Sequence, residues 1–167
     1  MRALALFVIA ACLAAGRIVT DPGLSGPALH GIAELQRAVK DDATILAGLS
    51  SSNGPAAQAL KAAGIPLPRR PESLVVHRTK DALILCGGDS RGLMYAALEV
   101  ARTYPDVRAV AESPYIAERG VSMYTMHRPT FENRLYDPHY WERYFDLLAR
   151  SLADPAVSEH AQLGEAT

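Results

Sequence analysis

Cysteine, tryptophan and phenylalanine are scarce in this chain: two, one and three residues. Two cysteines, Cys12 and Cys86, cannot make the disulfide framework of a small stapled domain, so the core has to hold by apolar packing. Neither sign of charge dominates, since 17 Lys and Arg against 18 Asp and Glu leave a net charge of −1. Basic pairs such as Arg69-Arg70 are isolated, and without a Lys/Arg-dense stripe nucleic acid is not an expected partner. Histidines do not cluster either. His30, His77, His127, His139 and His160 are scattered, no H-E-x-x-H occurs, and His139 with Glu142 would give only two ligands on one helix. No metal and no cofactor are therefore expected. There is no G-x-S-x-G, and Cys86 has no identifiable His partner, which removes the usual nucleophiles.

What remains is an ordinary globular composition, 49% apolar and 21% charged over 167 residues, enough for one full domain. Met1-Arg2 followed by the apolar run Ala3 to Ala15 and then Gly16 has the parts of an export signal, so residues 1–16 are read as a signal peptide. The run is too short to span a bilayer comfortably as a permanent helix. Ile9-Ala10-Ala11-Cys12 also looks like a lipoprotein box, which would place a lipid on Cys12. An exported location, periplasmic or extracellular, follows from this reading.

The remainder alternates. Arg17 to Thr20 is a short strand closed by Asp21-Pro22-Gly23. Ser25 is a candidate cap, with Pro27 in the first turn of a helix reaching Lys40. Ala43 to Leu49 is a strand, and Pro55 to Ala63 a short helix ended by Gly64. Ser73 to Arg78 and Ala82 to Cys86 are β-branched-rich runs joined by Thr79-Lys80-Asp81, the pattern of a hairpin. Asp89 or Ser90 caps a helix from Leu93 to Tyr104, which Pro105 stops; its apolar stripe is Leu93, Met94, Ala97, Val100 and Ala101. A hairpin excludes an all-parallel sheet. The expected fold is α+β, a mixed sheet with helices packed on one face, over residues 17–112. Residues 113–150 form a second unit, with a strand at Val121 to Tyr124 and a helix capped by Asp137. Tyr140, Trp141, Tyr144, Phe145, Leu147 and Leu148 give that helix an apolar face that needs a partner. Residues 151–167 turn small and polar, and are read as a divergent, disordered tail.

Cys86-Gly87-Gly88-Asp89-Ser90-Arg91-Gly92 is the motif closest to chemistry. A Gly-rich turn before a helix can cradle an anion with free backbone N–H groups. Its spacing is neither G-x-G-x-x-G nor a Walker loop, and a capped strand-to-helix turn accounts for it. Glycoside hydrolysis needs two carboxyl groups flanking the bond. Glu132, Asp137, Glu142 and Asp146 are near in sequence, but capping and solvated-face roles explain them, and no residue is assigned as catalytic.

Two segments carry a resemblance. Gly87 to Glu99 resembles the "G-x-D-x-R-G-x-x-Y-G-x-L" stretch of the small N-terminal domain of family 20 hexosaminidases and related α-glucuronidases. Ser113-Pro114-Tyr115-Ile116-Ala117-Glu118-Arg119-Gly120 is similar to the "P-x-x-x-x-R-G" run where such enzymes enter their (β/α)₈ barrel. The resemblance implies a non-catalytic, zincin-like accessory domain without zinc, followed by the first strand and helix of a truncated barrel. It implies that Arg119 binds hydroxyls of the substrate sugar, with carbohydrate the partner only in a complete barrel. The family's catalytic carboxylates lie on later barrel strands. A barrel cannot close on one strand, so this chain, read as a fragment of an exported glycoside hydrolase, is expected to be inactive alone. The alternative is a stand-alone carbohydrate-binding or structural module using exposed aromatics such as Tyr136, Tyr140 and Trp141. A third reading makes Gly87 to Gly92 an anion or nucleotide site, which the charge of Asp89 opposes.

Overall fold

Prolines open two of the helices. Pro27 and Pro55 stand in the first turns of α1 (Pro27–Ala38) and α2 (Pro55–Ala62), where a missing N–H costs nothing. The computed structural model describes residues 17–116 and 134–152. The other elements are β1 (Arg17–Thr20), β2 (Thr44–Leu49), β3 (Leu74–Arg78), β4 (Leu83–Gly87), α3 (Ser90–Thr103), β5 (Val110–Glu112) and α4 (Pro138–Leu152). The signal segment 1–16 with Cys12, the strand at Val121 to Tyr124, Arg119 and residues 153–167 lie outside the described residues. α4 runs two residues past the expected end of its unit, so Ser151 and Leu152 belong to it.

The sheet has the order β1-β2-β4-β3-β5. β2 pairs parallel with β1 and with β4, while β3 runs antiparallel to both β4 and β5. The fold is therefore the expected α+β arrangement with a mixed sheet. The hairpin is present: Thr79 N–H donates to the Ala82 carbonyl at 2.9 Å, and the Thr79 hydroxyl donates to the same oxygen. β4 is also the neighbour of β2, so the strand before the Gly-rich turn sits mid-sheet rather than only in a hairpin. β5 was not expected; three residues give no alternating pattern, and their pairing with β3 defines the strand.

α1 and α3 share one face of the sheet, where Leu35, Ile45, Val76, Leu85, Leu93, Leu98 and Val100 form the main core. α2 is the exception to a one-sided arrangement. Its Ala56 and Leu60 pack with Val75, Ile84 and Cys86 on the opposite face. Alternate residues of β3 and β4 thus feed opposite cores, as the strand period requires. The sequence pattern gives α3 a single apolar stripe, yet every residue from Gly92 to Val100 is buried. The sheet lies on one side of α3, and α1 and α4 pack against it as well. Glu99 is buried within this run and is held by Arg102 at 2.8 Å. The expected cap at Ser25 is absent: Gly26 takes the N-cap position at φ 55°, which glycine adopts without Cβ strain.

Candidate functional site

The Gly-rich turn is a mechanical joint. Asp89 caps α3, its Oδ1 accepting the Gly92 N–H at 2.8 Å, and the Asp89 carbonyl accepts the Leu93 N–H. The Gly88 N–H donates to the Ser73 carbonyl at 2.8 Å. The N–H groups of Gly88, Gly92 and Leu93 are thereby engaged within the protein, and the Asp89 carboxylate sits where an anion would. The glycines make room for backbone: a Cβ on Gly88 would stand 2.2 Å from the Arg70 carbonyl oxygen, and one on Gly92 would stand 2.2 Å from the Ser73 carbonyl oxygen. Arg91 reaches back at 2.9 Å to Glu72, which has φ 59°. The motif therefore clamps the segment before β3 onto the start of α3.

At the carboxyl end of β1, Asp21 is buried, with Oδ2 accepting the Leu49 N–H at 2.8 Å and the Ser52 hydroxyl. Its Oδ1 has no hydrogen-bond partner among the described residues, and it lies so near Gly54 that a Cβ there would stand 1.8 Å away. Asp21 thereby ties the β2–α2 loop to β1. Cys86 is fully buried on the α2 side, and its thiol is pushed up to about 12, first by desolvation and then by the charge of Asp21. Such a thiol is inert rather than nucleophilic.

Two of the concavities formed by the described residues flank the sheet. One, of about 260 Å³, lies between the Pro66–Ser73 segment and the end of β5, with Leu67, Arg69, Arg70 and Glu112 in its lining. The other, of about 160 Å³, lies beside Tyr104, Arg78 and Lys80. There the Tyr104 hydroxyl reaches both Asp41 oxygens at 2.5 Å. That bond lowers the Asp41 pKa, while burial first, and Asp41 second, push the Tyr104 phenol up to about 12.

α4 carries the aromatic residues singled out from the sequence. The Tyr140 and Trp141 rings meet edge-on at 5.4 Å, Tyr140 and Tyr144 stack at 6.1 Å, and Trp141 and Phe145 approach to 5.9 Å. Arg134 lies 5.7 Å from the Tyr140 centroid. Tyr136, just before the helix, is 76% exposed, and Phe145 is 60% exposed. The expected carboxylates have structural partners. Asp137 Oδ1 accepts the His139 N–H, Glu142 meets His139 at 3.2 Å on the helix surface, and Asp146 pairs with Arg150 at 2.9 Å. No group of three or more metal-type ligands occurs among the described residues. Glu132, like Arg119, lies outside them. Asp21, Asp41 with Tyr104, and Glu34 with Arg150 were not singled out from the sequence. Only the position of Asp21 at a strand end offered a hint.

No family model matches the chain, and no curated protein matches it. Solved structures do. The chain is similar to a GH138 enzyme targeting pectin rhamnogalacturonan II, with a TM-score of 0.52 and 16% identity over 80% of this chain. It is also similar to a GH115 4-O-methyl-α-glucuronidase with specificity for decorated arabinogalactans, with a TM-score of 0.59 and 19% identity over 81% of this chain. The match covers only 17% and 24% of those two proteins. The fold of this chain is thus one that recurs as a part of larger glycoside hydrolases.

Proposed function

We propose that this chain is the non-catalytic N-terminal part of an exported, glycan-cleaving hydrolase of the hexosaminidase or α-glucuronidase type. One disproportion carries the reading: the likeness takes in about four-fifths of this chain but 17% and 24% of the two enzymes. That is the proportion of an accessory unit to a multidomain protein. In this reading residues 17–112 are the accessory domain, and 113–150 the first strand and helix of a (β/α)₈ barrel. The aromatic ridge of α4 is then the surface on which the barrel packs. Arg119 holds neighbouring hydroxyls of the sugar through its guanidinium fork once the barrel is complete. Residues 1–16 direct export, with Cys12 as an optional lipid anchor.

The contribution of the chain is scaffolding. Asp137, Glu142 and Asp146 serve a cap, a hydrogen bond with His139 and an ion pair with Arg150, so none is assigned as the acid or nucleophile that glycoside hydrolysis needs. The purified chain, offered aryl hexosaminides and glucuronides, is expected to release no phenol above the blank. Turnover that a single carboxylate substitution abolishes would refute the reading. Limited proteolysis bears on the boundary: cleavage between Ala111 and Pro114 that leaves a stable core supports it.

A second reading, a stand-alone carbohydrate-binding module, has one observation in its favour. It requires the last helix to dock back on the sheet, and α4 contacts α1 and α3, the helices that cover one face of that sheet. Affinity electrophoresis on soluble glycans separates the two. Retardation lost in Trp141→Ala favours the module, and unretarded migration favours the accessory domain.

A further inference from the structure

Amphipathic helices dock by their apolar side, and α1 does so, burying Ala28, Ile32 and Leu35. α4 does the reverse. At about 100° per residue, Asp146, Ala149 and Arg150 fall on the side of the helix roughly opposite Tyr140, Trp141 and Tyr144. It is this polar side that meets the domain. Arg150 Nη2 donates to Glu34 Oε2 at 2.7 Å, and the His30 Nε2 atom lies 3.2 Å from Asp146 Oδ1. His30 and Glu34 are spaced i,i+4 on α1, as Asp146 and Arg150 are on α4, so the two helices present matching pairs. Arg150 Nε also donates to Asp146 Oδ2 at 2.9 Å, and Arg37 pairs with Glu34 from the other side. The apolar tie is small. Among the described residues Ala149 is the one member of α4 that packs against the main core, while Leu147 stays 61% exposed.

We infer that α4 is a strap latched to the α+β domain by the clasp of His30, Glu34, Asp146 and Arg150, and that screening the clasp frees the strap while the domain stays folded. The physical basis is the contrast between the two contacts that α1 makes, apolar with α3 and charged with α4. Apolar packing of α1 on α3 does not weaken with added salt, whereas partly exposed ion pairs are screened. Across the latch Arg150, His30 and Asp146 keep 38%, 44% and 34% of their side-chain exposure while Glu34 keeps 15%, so salt reaches the clasp from the α4 side and at His30. The strap thus opens below the threshold of global unfolding, as locally stabilised elements do. This inference does not depend on the hydrolase reading.

Hydrogen exchange with mass spectrometry on the full chain tests it, at low salt and near 1 M, where the screening length falls to about 3 Å. Amides of 138–152 are expected to exchange roughly three- to tenfold faster at high salt, with those of α1 and α3 unchanged. Glu34→Gln should produce the same change at low salt. It leaves the Arg150–Asp146 pair within α4 intact, so faster exchange there reports undocking rather than lost helix propensity. Exchange of α4 that neither perturbation moves would overturn the inference, as would α1, α3 and α4 all accelerating together. Should Glu34→Gln destabilise the whole fold, the salt series on the unsubstituted chain decides the matter.

Discussion

Gly92→Ala in the first turn of α3 is the sharpest test of the joint at the Gly-rich turn. On helix propensity alone the change stabilises, by about 1 kcal/mol. The surroundings oppose it. The new Cβ would stand 2.2 Å from the Ser73 carbonyl oxygen and 3.1 Å from the Glu72 carbonyl carbon, both backbone atoms that cannot rotate away. Relief requires the start of β3 to retreat, and the Ser73 carbonyl is the acceptor of the Gly88 N–H at 2.8 Å. Glu72 cannot absorb the shift easily, because its φ is 59° and Arg91 holds its side chain. Overpacking costs about 1–3 kcal/mol, and a strained buried hydrogen bond about 1 more. Against the propensity gain, the net expectation is a loss of roughly 2 kcal/mol. For a domain of this size that lowers Tm by on the order of 10 °C. Urea and thermal unfolding followed by far-ultraviolet circular dichroism measure it. A variant as stable as the parent, or more so, would show that Gly92 is not clamped against Ser73. A phosphate titration run in parallel should show no binding to either protein, since the Asp89 carboxylate caps the turn and repels an anion there.

Tyr104 should ionise well above the ordinary tyrosine range. Its folded pKa of about 12 lies above the ordinary 10, so its stabilising effect is full below pH 10 and is lost as pH rises through about 12. Phenolate absorbance should show a late component that Tyr104→Phe removes; a titration unchanged by the substitution refutes the Asp41 contact. The same bond depresses Asp41 below its ordinary 3.8. Its contribution is present above that value and disappears as pH falls through the folded value, so Tyr104→Phe should flatten this part of the acid limb of stability measured by denaturant unfolding. Cys86, buried and pushed up to about 12, should resist a disulfide reagent in the native state and react when the chain is unfolded. Native labelling located on the Cys86 peptide, apart from that of Cys12, would refute its burial.

Local chemistry made the elements of this protein readable from the residues alone. Pro27 and Pro55 mark helix starts, Thr79 to Asp81 marks the hairpin, and Asp89 marks the cap of α3. Each works within one turn, so its effect is written in adjacent residues. From these follow the α+β class, the mixed sheet and the aromatic face of the last helix. Tertiary structure decided what depends on distant partners. β5 is a strand because β3 is beside it, α2 took the second face of the sheet, and α3 is buried on all sides. Of the candidate site, the aromatic residues were legible, but not that α4 meets α1 by its opposite, polar side. Asp21 meets Leu49 across 28 residues, Tyr104 meets Asp41 across 63, and Arg150 meets Glu34 across 116. Periodicity names which residues share a helix face. Which face meets the domain is chosen by chain closure and by whatever surface folding brings opposite, and no local pattern encodes that.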